Sequence, residues 1–340
     1  IFLPTPFCGR FFFNYFWGLP NPPQPTNRMI RLLKILGVVL LIVLVLIASA
    51  IAYVKFGLPD VGEAESLTVE LTPERIARGK YLANSVTVCM DCHAVRDWSK
   101  FSGPPPAGTL GKGGDRFDQT SGMPGVFFAK NITPFGIQRY TDGELFRVIT
   151  TGVTKEGKAL FPLMPYPYYG KMDREDIYDI IAYIRSLEPV ESEIPESVAD
   201  FPVSIIMNTI PQPADPQKKP DPSDELAYGA YVVNSAGCVE CHTPVDDKAQ
   251  IIKEFSFSGG REFKFPDGAV VRSSNITSDG ETGIGKWSKE EFVNRFKQYA
   301  DSSYVIPSVK PGEFNTIMPW TMYGHMKESD LSPTYAYLTS

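Results

Sequence analysis

Two short strings contain the residues with the clearest chemistry. Residues 89–93 read CMDCH and residues 238–242 read CVECH, so both follow the pattern C-x-x-C-H. In this pattern two thiols add to the vinyl groups of one haem, and the imidazole that follows binds the iron. The spacing therefore predicts two covalently bound haem c groups. The expected attachment residues are Cys89, Cys92, Cys238 and Cys241, and the expected proximal iron ligands are His93 and His242.

Other uses of paired cysteines are a redox dithiol, a four-cysteine zinc site and a disulfide. A zinc ribbon places its two pairs about 15 to 20 residues apart, which is far closer than Cys92 is to Cys238. Neither a dithiol nor a disulfide requires histidine directly after both second cysteines. Haem attachment is therefore the expected use of all four thiols.

The chain repeats a series of short motifs in the same order, which indicates two similar halves. We expect an all-α fold with two tandem cytochrome c domains, residues 66–187 and 224–340, joined by a proline-rich linker at 188–223. The motifs of the two halves are Arg78–Tyr81 and Tyr228–Tyr231, the C-x-x-C-H strings, Asn-Ile-Thr at 131–133 and 275–277, Met-Pro-aromatic at 164–166 and 318–320, and Ala-Tyr at 182–183 and 336–337.

Each half is expected to begin and end with a helix. Thr72 followed by Pro73 predicts a capped helix that runs to about Asn84. The repeated glycines Gly79 and Gly229 are expected to let this first helix approach the terminal helix closely, with Tyr183 or Tyr337 packed at the crossing. Pro333 is expected in the first turn of the last helix, where proline is tolerated.

The number of histidines restricts the second axial ligands. The chain has three histidines, and two of them are the proximal ligands, so His325 alone remains for two distal positions. Methionine is the usual alternative, because its thioether favours ferrous iron. Met164 and Met318 occupy the same repeat position, and each precedes a proline that favours extended backbone. We predict these two methionines as the distal ligands and His325 as a surface residue.

Other residues in and near the repeated motifs have less specific roles. Met172 and Met326 align with each other at the start of the terminal helix, where we expect packing. Four further side chains are expected either to orient haem propionates or to serve ordinary loop bonding and packing, namely Asn131, Asn275, Arg139 and Trp287.

Residues 29–56 are expected to form a membrane anchor. Arg31 and Lys34 precede about 20 uncharged, mostly apolar residues, enough to cross a bilayer. The positive-inside rule places this basic end in the cytoplasm, with the haem-binding halves in the periplasm and a single crossing of the bacterial inner membrane. The alternative is a signal peptide cleaved at Ala48-Ser49-Ala50, and the haem-binding part is exported in both cases.

Residues 1–28 and the overall charge give weaker indications. The leader lacks acidic residues, and we expect Met29 to be the true start, with residues 1–28 an over-extended reading frame. The formal net charge is −6 and no basic stripe is present, so nucleic acid is not an expected partner. An acidic surface is suited to steering a basic redox partner.

The sequence GKALFPLMPY at 157–166, with Asn-Ile-Thr upstream and Ala-Tyr-Ile downstream, resembles a known family. It is similar to class I c-type cytochromes, specifically the cytochrome c subunits of bacterial membrane-bound alcohol and aldehyde dehydrogenases, and to gluconate dehydrogenase cytochromes. The resemblance covers 72–187 and 224–338. It implies an electron-transfer subunit that works with a dehydrogenase. Family members typically have three C-x-x-C-H motifs, whereas this chain has two.

These features together predict an electron carrier rather than an enzyme. Electrons would pass through two His/Met haems from a dehydrogenase or quinol-linked donor to an oxidase or another cytochrome. The alternatives are a dihaem peroxidase, which needs an iron open to peroxide, and an integral subunit of a terminal oxidase. Two closed iron sites favour the carrier.

Overall fold

A long apolar helix begins the part of the chain that the structure describes. The computed structural model describes residues 26–247, 249–265 and 267–340, so most of the expected leader at 1–28 lies outside it. Helix α1 (Asn27–Phe56) is, among the described residues, the one helix long and apolar enough to cross a membrane, with a mean hydropathy of 3.2 over its most apolar 18 residues. The chain divides into two units after Ala52, and the second unit is Tyr53–Ser340.

The first half of this unit begins with the expected capped helix. The Thr72 hydroxyl accepts a hydrogen bond from the Arg75 amide at 3.3 Å, which satisfies one free donor of the first turn. Helix α2 (Pro73–Tyr81) continues as a wider turn over Leu82–Val86. The elements that follow are α3 (Cys89–Cys92), β1 (Arg116–Phe117), β2 (Gly125–Phe128), α4 (Pro134–Ile137), α5 (Asp142–Thr151), α6 (Tyr166–Tyr169) and α7 (Arg174–Ser186).

The segment between the halves is bound to the first half along much of its length. Strand β3 (Val198–Ala199) pairs antiparallel with β2, which gives the sheet order β1-β2-β3. The Asn131 side-chain amide also donates to the Val190 carbonyl at 2.8 Å. Helix α8 (Val203–Ile206) follows β3. Residues 188–223, expected as a linker, therefore include a strand of the first half.

The second half repeats the order of the main helices. Pro333 lies inside the last helix rather than in its first turn as expected, so that helix continues past a residue without an amide donor. The elements are α9 (Glu225–Ser235), α10 (Cys238–His242), β4 (Glu262–Lys264), β5 (Val270–Arg272), α11 (Lys289–Lys297), α12 (Trp320–Tyr323) and α13 (Glu328–Leu338).

The two glycines expected at helix crossings are confirmed there. A Cβ atom on Gly79 of α2 would lie 1.7 Å from the Asp179 carbonyl oxygen of α7. A Cβ atom on Gly229 of α9 would lie 2.0 Å from the Pro333 carbonyl oxygen of α13. Both distances are far below van der Waals contact, so only glycine lets the backbones meet this closely. In each half, the first and last helices are thus packed backbone to backbone.

The all-α expectation is correct for the main elements but omits two small sheets. Helices make up 43% of the described residues, and strands are few among them. The hairpins β1–β2 and β4–β5 each lie between a C-x-x-C-H helix and the Asn-Ile-Thr segment of the same half. Their antiparallel ladders satisfy backbone groups that no helix uses there. With two to four residues a strand, they have too little alternation for sequence patterns to detect.

The two halves are joined by matched tyrosine–aspartate pairs. The Tyr231 hydroxyl of the second half donates to Asp176 Oδ2 of the first half at 2.7 Å. The Tyr81 hydroxyl of the first half donates in the same way to Asp330 of the second half. Both aspartates are buried. Because each half contributes the same pair of elements, the contact has the self-complementary form of a two-fold interface.

Candidate functional site

Both C-x-x-C-H strings form a single helical turn after a left-handed residue. Val88 precedes α3 with φ of 44°, and Gly237 precedes α10 with φ of 65°. Positive φ is unfavourable for a β-branched residue such as Val88. The first half nevertheless has the same left-handed residue before its C-x-x-C-H helix as the second half. Thiols three positions apart on one helical turn lie on the same side of it. This arrangement presents each cysteine pair to one ligand.

In each half, Nδ1 of the histidine lies close to a backbone carbonyl at the equivalent position, directly before the Asn-Ile-Thr segment. His93 Nδ1 lies 2.6 Å from the Lys130 carbonyl oxygen, and His242 Nδ1 lies 2.8 Å from the Ser274 carbonyl oxygen. Since a carbonyl only accepts, Nδ1 carries the proton and Nε2 keeps its lone pair for a metal. Burial lowers the pKa of both imidazoles, which keeps them neutral. Orientation, tautomer and charge therefore fit axial ligation of haem iron.

The four thiols do not have the properties of a redox or zinc centre. All four are unpaired. Burial raises the pKa of Cys92 and Cys238 to about 12 and that of Cys241 to about 11, and it also raises the pKa of Cys89. A reactive dithiol needs a lowered pKa. Within the described ranges, no three His, Cys, Asp or Glu side chains are grouped as a metal site. Protonated thiols beside an imidazole remain compatible with haem attachment.

The acidic residue inside each motif has an arginine partner that the sequence did not indicate. Arg96 lies between the buried carboxylates of Asp91 and Asp115, at 3.3 and 2.7 Å. Arg261 bonds Glu240, with one contact to Oε2 at 3.2 Å. Burial raises the pKa of Asp91 to about 6, although Arg96 opposes the shift. The equivalent acids were visible in the repeat, but the arginines lie at different sequence distances and had no shared signal.

Met164 and Met318 occupy equivalent places at the entry of short helices. Each is half-buried against the apolar core. The Tyr166 amide donates to the Met164 carbonyl and the Trp320 amide to the Met318 carbonyl, both at 2.8 Å. The role of the two sulfur atoms as distal ligands stays a prediction. Their backbone settings nevertheless match, as the repeat indicated.

The other candidate ligands lie elsewhere. Met172 is 0% exposed and Met326 is 3% exposed, so both are core side chains and the expectation of packing is confirmed. His325 is exposed, which agrees with its interpretation as a surface residue.

In each half, a tyrosine hydroxyl connects the short helix after the predicted methionine ligand with the segment before the C-x-x-C-H string. The sequence patterns did not indicate this contact. The Tyr169 hydroxyl of α6 donates to the Thr87 carbonyl at 2.9 Å. The Tyr323 hydroxyl of α12 donates to the Ala236 carbonyl at 2.8 Å. Thr87 and Ala236 both lie two residues before the first cysteine. In each half, the helix that follows the methionine is therefore fixed to the turn that begins the C-x-x-C-H string. The alignment of the two tyrosines in the repeat was the available signal.

Three of the side chains considered for propionate binding make loop or surface contacts, Trp287 is exposed, and a role of any of the four toward haem propionates stays a prediction. Asn131 and Asn275 each accept the hydroxyl and amide hydrogen bonds of the threonine two residues later. The Asn275 amide also donates to Thr282 at 2.9 Å. Arg139 pairs with exposed Glu156 at 3.0 Å. These contacts correspond to the ordinary loop alternative.

Comparison with known proteins identifies relatives of one functional type. No protein-family model matches the chain. It is 26% identical over 82% of its length to the cytochrome c subunit of alcohol dehydrogenase (quinone) from Gluconacetobacter polyoxogenes. It is 27% identical over 78% of its length to the gluconate 2-dehydrogenase cytochrome c subunit from Pantoea cypripedii. A diheme cytochrome c-type protein of Cereibacter sphaeroides is 30% identical over 46% of the chain.

The matches cover only part of each relative. The chain spans 58% of the alcohol dehydrogenase subunit, 59% of the gluconate dehydrogenase subunit and 53% of the diheme cytochrome. The first two of these relatives are named as cytochrome c subunits of dehydrogenases rather than as catalytic subunits. Two haem-attachment strings with neutral, carbonyl-bound histidines agree with those names. The chain is accordingly similar to the cytochrome c subunits of alcohol and gluconate dehydrogenases.

Proposed function

We propose that the chain is a membrane-anchored electron carrier with two covalently attached c-type haems, each ligated by one histidine and one methionine. The observation that carries the proposal is the matched pair of hydrogen bonds from His93 to the Lys130 carbonyl and from His242 to the Ser274 carbonyl. A neutral, oriented imidazole next to two thiols is what a proximal haem c ligand requires. The same set occurs in both halves, so two equivalent sites follow.

The protein residues have simple roles in this function. When bound, a haem iron accepts and releases one electron at a time. Cys89, Cys92, Cys238 and Cys241 keep the group attached through every cycle, and the carbonyl-bound histidines hold their lone pairs toward the iron. Met164 and Met318 would supply the second protein ligand of each iron and so would keep water and other small ligands away from it. No proton or substrate atom moves, so the protein does not need an acid or base at either site.

The donor we propose is a dehydrogenase, and the acceptor is an oxidase or another cytochrome. The support is that two of the relatives above are named as subunits of dehydrogenases. Helix α1 supports the further proposal of a single-pass anchor, with the haem-binding halves on the periplasmic side of the bacterial inner membrane. The basic residues Arg28, Arg31 and Lys34 near its start give the orientation.

Carbon monoxide and peroxide test the proposal directly. The full chain, matured with haem and held in detergent, is titrated electrochemically, then reduced and mixed with either reagent. We expect two one-electron transitions, no carbon monoxide spectrum and no rapid oxidation by peroxide, because both iron atoms have protein ligands on each side. Rapid peroxide turnover would show that the chain is a peroxidase. Carbon monoxide binding to the reduced, unsubstituted protein would show that at least one iron lacks a second protein ligand.

A further inference from the structure

A turn of the first half lies against the loop that carries Met318 in the second half. This turn, residues 97–103, lies between α3 and β1. The Phe101 amide donates to the Pro307 carbonyl at 2.9 Å, and the Val309 amide donates to the Ser99 carbonyl at 2.8 Å. Two backbone bonds thus align the turn with the loop that precedes Met318.

Ser102 brings this contact to the methionine itself. Its side chain is almost completely buried, with 1% of the residue exposed. Its hydroxyl donates to the Met318 carbonyl at 2.6 Å and accepts from the Trp320 amide at 2.9 Å. One hydroxyl of the first half therefore bonds backbone groups at and just after the predicted ligand of the second haem.

Asn315 holds the serine from the other side. Its Oδ1 accepts from the Ser102 amide at 2.9 Å, and its Nδ2 donates to the Trp98 and Lys100 carbonyls at 3.3 and 3.2 Å. Ser102 has φ of 66°, a conformation that favours glycine. A serine at this place supplies a hydroxyl that glycine would lack.

The first half has no matching contact in the part of the chain that the structure describes. Among the described residues, the Met164 carbonyl accepts from the Tyr166 amide and bonds no side chain of the second half. The loop from α11 to α12 is also longer than the loop from α5 to α6. A longer loop has more conformations to restrict, so it needs more external contacts to hold one side chain in place.

We infer that Ser102 is a positioning residue for Met318, so that axial ligation of the second haem depends on a turn of the first half. This inference rests on the proposed function, because it assumes that Met318 binds iron. Removal of the hydroxyl leaves the half-buried Met318 carbonyl and Trp320 amide with only their bond to each other. The loop then samples more conformations, and Met318 competes less well with an external ligand for the iron.

The test uses imidazole as the external ligand and the full, haem-loaded chain. In a Met164→Ala background, the far-red Met–iron absorption band of the ferric protein reports Met318 alone. Addition of Ser102→Ala is expected to raise the apparent imidazole affinity at this haem about tenfold, the order expected for a lost buried hydrogen bond. The matched control is Ser99→Ala, since Ser99 is exposed and its hydroxyl bonds Asp97 within the same turn. It should leave the affinity unchanged.

Further variants separate the possible failures. Ser102→Gly removes the hydroxyl at a backbone conformation that glycine favours, so it replaces the alanine variant if that variant does not fold. In a Met318→Ala background, Ser102→Ala should leave imidazole binding at the first haem unchanged; an equal increase there would overturn the inference in favour of general loosening. If the Met164→Ala protein has the band but Ser102→Ala does not change the imidazole affinity of the second haem, Ser102 does not position Met318. If that parent lacks the band, the Met318 assignment in the proposed function fails.

Discussion

His93 and His242 depend on backbone oxygens 37 and 32 residues further along the chain. The motif predicts which residues would face a haem, whereas these carbonyls set the tautomer and the direction of each ring. The sequence could therefore predict the four thiols and both histidines, whose types and spacing are specific. It could not predict Lys130 or Ser274 as partners, since every residue has a carbonyl and no side-chain signal marks the one that is used.

The methionine assignments lead to a prediction at this scale. Met164→Ala and Met318→Ala should each remove about half of the far-red Met–iron band of the ferric protein, because each haem contributes one Met–iron bond. Absorption spectroscopy of the haem-loaded chain measures this. Met172→Leu is the control, since Met172 is fully buried and leucine conserves its volume. An unchanged band in either alanine variant would show that the substituted methionine is not an iron ligand.

At the scale of elements, the crossing of the first and last helices holds each half together. Gly79 and Gly229 could be predicted at these crossings because they recur at the same repeat position. The strand at Val198–Ala199 could not, because its partner β2 is distant in sequence and its two residues have no periodicity. Local caps and repeats were informative, whereas pairing between distant segments was not.

Substitution of the crossing glycine tests this packing. Gly79→Ala should reduce the free energy of unfolding by about 1–3 kcal/mol, because its Cβ would overlap the backbone of α7. Urea unfolding followed by circular dichroism measures the change. Gly280→Ala is the control, as the nearest atom to its Cβ would be a lysine side-chain carbon at 3.7 Å. Equal midpoints for Gly79→Ala and the unchanged protein would contradict the close crossing.

For the molecule as a whole, the two halves are packed against each other. They share one core and a two-fold set of contacts, and are not connected by the linker alone. Buried apolar residues from both halves belong to one continuous cluster. Asp176 is central to the contact, because it bonds Arg78 and Lys219 as well as Tyr231 of the second half. The repeat indicated two halves but not their mutual packing, since Tyr81 and Tyr231 were assigned only to helices of their own halves.

The charge of Asp176 makes this interface sensitive to acid. Burial acts to raise its pKa, but Arg78, Lys219 and Tyr231 outweigh burial and hold the pKa below the ordinary value of 3.8. The stabilisation is therefore present above that value and is lost as pH falls through the lower pKa of the folded state. Asp176→Asn should cost about 2 kcal/mol of unfolding free energy at neutral pH, a value reduced for the partly exposed cations.

Urea unfolding from pH 7 to pH 2 measures this effect. The difference between Asp176→Asn and the unchanged protein should shrink toward the acid end. Asp221→Asn is the matched control, because Asp221 is exposed and bonds only Ser223 nearby. A constant difference at every pH would show that the carboxylate charge does not stabilise the interface.

Intact-mass spectrometry under denaturing conditions tests most directly whether two haems are covalently attached. The chain is produced with its maturation machinery, and noncovalent haem is removed before measurement. We expect a mass increase of two haem groups for the unchanged protein. Replacement of Cys89 and Cys92 by alanine, or of Cys238 and Cys241 by alanine, should leave an increase of one. An unmodified polypeptide mass, or one haem in the unchanged protein, would show that two covalent haem sites are not present.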